Sequence, residues 1–90
     1  MKTHVKKIQK EYFCGILNNN KRFEIRKNDC NYQVGDIVKL VLYDGDKQIG
    51  TNNYIAVKIT YVLKDIPQYG LDKDYCIFGF EIWGIKLEKQ

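Results

Sequence analysis

The sequence predicts a small α+β domain: a β-barrel of about five strands with one helix packed over an end of the barrel. Three observations lead there. Five stretches are rich in β-branched and aromatic residues, and several of them alternate apolar with polar. One stretch only, near the N-terminus, has helical spacing. So few strands leave exposed edges, which a strongly bent or closed sheet removes. The 90 residues, 44% hydrophobic and 29% charged, suit one soluble globular domain over residues 1–90 rather than a disordered chain.

The elements follow in order. "HVKKIQ" (4–9) reads as a short first strand. "KEYFCGILNN" (10–19) places Phe13, Ile16 and Leu17 at i, i+3 and i+4, the spacing of a helix face, with Tyr12 on the side of Ile16. Gly15 costs that helix about 1 kcal/mol relative to Ala, which points either to close packing there or to a weak helix. "NNN" (18–20) is a stop, because Asn tolerates the left-handed conformation at a helix C-terminus.

"RFEIRK" (22–27) alternates strictly, so Phe23 and Ile25 share one face and Arg22, Glu24 and Arg26 the other. The apolar pair is expected in the core and the charged row outside. "NDCNYQVGD" (28–36) is a connection rich in turn formers. "IVKLVLY" (37–43) reads as a buried strand, and "DGDKQIGTNN" (44–53) as a polar loop. "YIAVKITYVL" (54–63) sets Ile55, Val57, Ile59, Tyr61 and Leu63 on one face. "KDIPQYGLDKD" (64–74), with the sole proline, reads as a long loop. "YCIFGFEIWGIKL" (75–87) turns Cys76, Phe78, Phe80 and Ile82 inward, with Gly79 at a bend or bulge.

Charge is uneven. Residues 1–30 carry eight Lys/Arg against three Asp/Glu, whereas residues 31–90 carry seven against eight. The N-terminal third therefore suits a phosphate-bearing partner. No 20-residue apolar span is present, and "MKTHVKKIQK" has no apolar run behind its charges, so a cytoplasmic protein is expected, with no membrane partner. Cys14, Cys30 and Cys76 are odd in number and lack zinc-ligand spacing, consistent with reduced thiols and no metal.

Several chemistries are disfavoured. The chain has one His and no Ser, so a Ser-His-Asp triad is excluded. No glycine-rich phosphate loop appears, and no cofactor is expected. What remains is "KRFEIRKND" (21–29), which holds both arginines of the chain. Arg22, Glu24 and Arg26 recur at about 7 Å along one strand face. Such a row is either a solvated charge ladder of small energetic value or a recognition surface. In the second reading Arg offers forked donors to phosphate or a base edge, and Glu24 orients an arginine or accepts from an exocyclic amine. Lys21, beside a carboxylate, is a candidate base. Tyr12, Tyr32 and Tyr69 are candidates for stacking on bases.

The ordered motifs carry a resemblance. "H..KI...YF" (His4, Lys7, Ile8, Tyr12, Phe13), "K.FEIRKND" (Lys21 to Asp29), "VGD" (34–36), "TYV" (60–62) and "GL...Y" (Gly70, Leu71, Tyr75) together resemble the DUF3850 family, a small bacterial and phage group in the ASCH branch of the PUA-like superfamily. The FEIRKND block is the most specific. The resemblance implies a PUA-like barrel with a cleft between barrel and helix, lined by Lys21, Glu24 and Arg26. It implies binding of RNA or of a modified nucleotide, with Lys27, Asn28, Asp29, Tyr12 and His4 as further contacts. Two alternatives accompany it: an amidohydrolase acting on N4-acetylcytidine-like substrates with Lys21 as base and Glu24 beside it, and a phage-encoded protein that sequesters a nucleotide-like ligand. The chain departs from the pattern at Asn19, usually Gly, at Cys30, usually Arg, and at Gln9-Lys10, usually Trp-Pro.

Overall fold

The structure is a computed structural model and describes residues 1–88. Its elements are β1 (Thr3–Gln9), α1 (Lys10–Leu17), β2 (Phe23–Lys27), β3 (Ile37–Asp44), a two-residue β4 (Lys47–Gln48), β5 (Tyr54–Ile66) and β6 (Leu71–Lys86). One turn of 3₁₀ helix, Pro67–Tyr69, separates the last two strands. The sheet runs β1-β3-β5-β6-β2, with β4 beside β3. β1 pairs in parallel with β3, and the other pairings are antiparallel.

The sheet curls into a half-barrel, with β1 and β2 at its two edges. α1 connects those edges and packs against β1 and β3. It carries Phe13 and Ile16 into the core, where they meet Ile8, Val38, Leu40, Ile55, Val57, Ile59, Cys76, Phe78 and Phe80. The helix ends where the asparagines predict. Asn18 caps it, and Asn19 takes the left-handed conformation at φ 66°.

Four expectations are corrected. The first concerns β2. Its alternation holds, but its faces are reversed: Glu24 is buried, whereas Phe23 and Ile25 are exposed. A period of two decides which side chains share a face and is silent on which face meets the core. Glu24 turns inward because Lys21 and Arg26 turn with it and neutralise it.

The second concerns β5. A register shift between Ile59 and Tyr61 places one extra residue in the strand. Ile55, Val57 and Ile59 are buried as expected, but Tyr61 and Leu63 emerge on the outer surface, and Val62 packs against the core instead. The third concerns the stretch 64–74. It is the tip of a long hairpin rather than a loop: β5 runs to Ile66, β6 starts at Leu71, and Gly70 turns the chain at φ 84°. The fourth concerns the polar stretch 44–53, which contains β4.

Candidate functional site

β2 is the edge strand of the sheet, so β6 anchors it on one side only. The register sets Glu24 against Phe78 and Arg26 against Cys76. Phe78 and Cys76 point into the core, so their partners on β2 point to the same concave side. Lys21 precedes the strand on the connection from α1. Its backbone N–H and that of Asn20 both donate to the carbonyl of Gly15, at 3.1 and 3.0 Å. Gly15 has no side chain, and a Cβ there would lie 3.4 Å from Cβ of Lys21. The Lys21 stem thus passes beside Gly15, at a distance that a Cβ would still tolerate.

Three charged side chains converge. Lys21 Nζ donates to Glu24 Oε1 and, at 2.6 Å, to the carbonyl of Phe23. Arg26 donates from Nε at 2.9 Å, and its Nη2 lies 2.8 Å from the same Oε2 of Glu24. Glu24 therefore serves two cations, one on each carboxylate oxygen. The Lys21 and Arg26 side chains keep about a fifth of their surface in water, at 17% and 21%. The cluster has two positive charges to one negative and is not fully desolvated.

A cavity of about 320 Å³ lies against this cluster, lined by Tyr12, Lys21, Phe23, Glu24 and Ile25. Lys21 Nζ sits 5.6 Å from the ring centre of Tyr12 and 5.2 Å from that of Phe23, within cation–π range of both. The lining is mostly apolar, with the ammonium as its cationic group. Of three ammonium donors, two are engaged by Phe23 and Glu24, which leaves one for a ligand.

The structure does not bring all candidate residues together. Tyr12, Lys21, Glu24 and Arg26 form the cluster and its rim. Arg22 leaves the row, and its Nη2 donates to Oδ1 of Asn19. Lys27, Asn28 and Asp29 line a separate hollow of about 410 Å³ with Asp74 and Tyr75. Asn28 is tied there by its N–H to the Asp74 carbonyl at 2.9 Å. Cys30 Sγ donates to Asp29 Oδ1 at 3.1 Å, and Lys6 Nζ donates to Cys30 Sγ at 2.8 Å. The Cys30 hydrogen bond, aided by the charges of Lys6 and Lys27, outweighs the opposing effect of burial and holds the Asp29 carboxyl below its usual range.

His4 lies elsewhere again. Its Nε2 is 2.9 Å from Oδ2 of Asp36, and its ring packs 4.8 Å from that of Tyr32. Asp36 is buried and also accepts from the backbone N–H groups of Lys2 at 3.0 Å and Gln33 at 3.1 Å. Burial pushes the Asp36 carboxyl up, but the bonds from His4, Lys2 and Gln33 outweigh it and leave the group below the usual carboxylate range. Tyr32 is buried against Phe78, ring centres 5.0 Å apart, and burial drives its hydroxyl pKa well upward. Among the described residues, no group of three or more His, Cys, Asp or Glu side chains has the arrangement of a metal site.

Phe23 and Ile25 as cavity walls were missed by the sequence reading. Both look like core residues, and only the register against β6 reveals that they are not. A larger hollow, about 520 Å³, lies at the start of α1 among Gln9, Lys10, Glu11, Tyr12, Cys14 and Asp44. Its charged residues are all exposed surface side chains, and they do not converge as the Lys21 cluster does.

Fold and site define a small half-barrel protein with a cationic cavity between its helix and an edge strand. The chain belongs to the family described as domain of unknown function DUF3850, whose model matches residues 3–80. Among curated proteins, none matches it. The crystal structure of hypothetical protein PH0355 is similar in fold, with a TM-score of 0.57 at 17% identity over 92% of this chain and 100% of that one. No helix of the described residues is long and apolar enough to cross a membrane.

Proposed function

We propose that this chain is a binding module for single-stranded RNA or a modified nucleotide, and that it receives a base in the cavity between α1 and β2. The half-barrel with one helix is compatible with the PUA-like superfamily, in which such modules occur. The observation that carries the reading is the position of Lys21 Nζ: beside two aromatic rings, held by Glu24, at the wall of a cavity of about 320 Å³. Aromatic rings stack on any base, each stack contributing about 1–3 kcal/mol. The remaining Lys21 donor suits a carbonyl oxygen on a base edge, and the excess positive charge of the N-terminal third suits the phosphates.

Titration of short single-stranded RNAs at two salt concentrations tests this. Affinity falls as salt rises, Tyr12→Ala weakens binding about tenfold through the lost stack, and Lys21→Met weakens it at least as much. No binding at low salt sinks the reading.

The contact between Lys21 and Glu24 also supports a second reading, hydrolysis of an acylated cytidine with Lys21 as base. Incubation with N4-acetylcytidine at high protein concentration decides between them, since a binding module gives no turnover. A sequestering protein would instead copurify with its ligand, which mass spectrometry of the released small molecules detects.

A further inference from the structure

The outer face of the half-barrel is apolar toward β2, whereas farther along β5 and β6 it carries Lys58 and Glu81. Register places Phe23, Gly79 and Tyr61 in one cross-strand row and Ile25, Ile77 and Leu63 in the next. All point away from the core, because Glu24, Phe78 and Val62 beside them point toward it. Tyr61 is 64% exposed and Ile25 58%. Beyond the second row lies a hollow of about 320 Å³ between Ile25, Ile77, Tyr75, Tyr69 and Leu71.

From this arrangement we infer that the outer face of β2, β6 and β5 pairs two copies of this chain about a twofold axis. Two observations single out a second copy as the occupant. The first is area. Aromatic side chains present about 150–250 Å² each, so these residues at their observed exposures leave on the order of 600 Å² of apolar surface. That is the top of the range found on monomers and about what each side of a small stable interface buries. The second is shape. A twofold interface must be self-complementary, each copy offering both the projection and its receptor. Here the projection is Tyr61, in the row of Gly79, where the missing side chain leaves it standing clear. The receptor is the hollow at Tyr75, four residues along β6 and therefore about 13 Å away. Sheet faces packed with their strands reversed place each Tyr61 in the other copy's hollow.

The pairing face shares Phe23 and Ile25 with the wall of the cationic cavity, so a dimer would bring two cavities to the border of its interface. Sedimentation analysis from micromolar to near-millimolar protein tests it. The expected result is a mass twice that of the chain, returning to the monomer mass in Tyr61→Glu and in Ile25→Lys with unchanged circular dichroism. Both side chains are exposed, so neither change disturbs the core, and each variant serves if the other fails to fold. A wild-type protein that stays monomeric throughout overturns the inference, whether or not it binds a peptide or lipid vesicles. So does a dimer that persists in both variants. Gly79→Ala, which adds a methyl beside Tyr61, is a third arm: a Cβ at Gly79 meets only ordinary contacts, 3.6 Å from Thr60 Oγ1 and 3.9 Å from the Arg22 carbonyl, so the variant folds and dimerises more weakly.

Discussion

Glu24 and Arg26, two residues apart on one strand, are joined by both Nε and Nη2 of the guanidinium on a single carboxylate oxygen, at 2.9 and 2.8 Å. The other oxygen belongs to Lys21. Removing the carboxylate leaves two cations facing one another at the half-barrel's concave side. Glu24→Ala is therefore expected to cost about 3 kcal/mol, the lower end for a broken buried pair because both cations keep some water. Glu24→Gln retains the hydrogen-bond acceptors on one side and costs less. Urea unfolding of the two variants measures both, and equal losses would show that the charge is immaterial.

Gly15 presents the opposite case. A Cβ there would stand 3.4 Å from Cβ and 3.7 Å from Cδ of Lys21, ordinary contact. Helix propensity then dominates, and Gly15→Ala is expected to raise stability by about 0.5–1 kcal/mol. The added methyl fits beside the Lys21 stem without moving it, so RNA affinity should stay as it is in the same variant. A thermal melt combined with an RNA titration checks both.

The Asp36 cluster makes stability depend on acid. Its folded pKa lies below the ordinary 3.8, so the unfolded chain binds the proton more readily. The stabilisation is therefore complete above the unfolded value and is lost as pH falls through the folded one. Asp36→Asn should flatten the acid limb of a stability–pH curve. It should also cost about 1–3 kcal/mol at neutral pH, because Asn cannot accept from His4, Lys2 and Gln33 together. Urea midpoints measured from neutral pH down to acid check the sign.

The three thiols should separate by access. Cys14 is exposed, Cys30 intermediate and Cys76 buried. Burial also raises the Cys76 pKa, the nearby Lys64 opposing it only in part. Alkylation in the native state should modify Cys14 first and Cys30 more slowly. Cys76 should react only after denaturant is added, and mass spectrometry of the labelled peptides reads the order.

The sequence by itself determined the element types and most of their bounds. Helical spacing at Phe13 and Ile16, the Asn stop, and the apolar runs at 37–43 and 75–87 are local properties, decided by periodicity and backbone preference. It also determined that Glu24 and Arg26 share a side, since alternation requires it. Tertiary structure alone decided which side that is. The face of an edge strand that meets the core depends on its register with a neighbour, here Phe78 and Cys76, some fifty residues away. The same holds for Tyr61 and Leu63, which a register shift in β5 moves from the core to the surface. So "KRFEIRKND" announces a charged row, but the cavity exists only because β6 turns that row inward and brings Lys21 within reach of the rings of Tyr12 and Phe23.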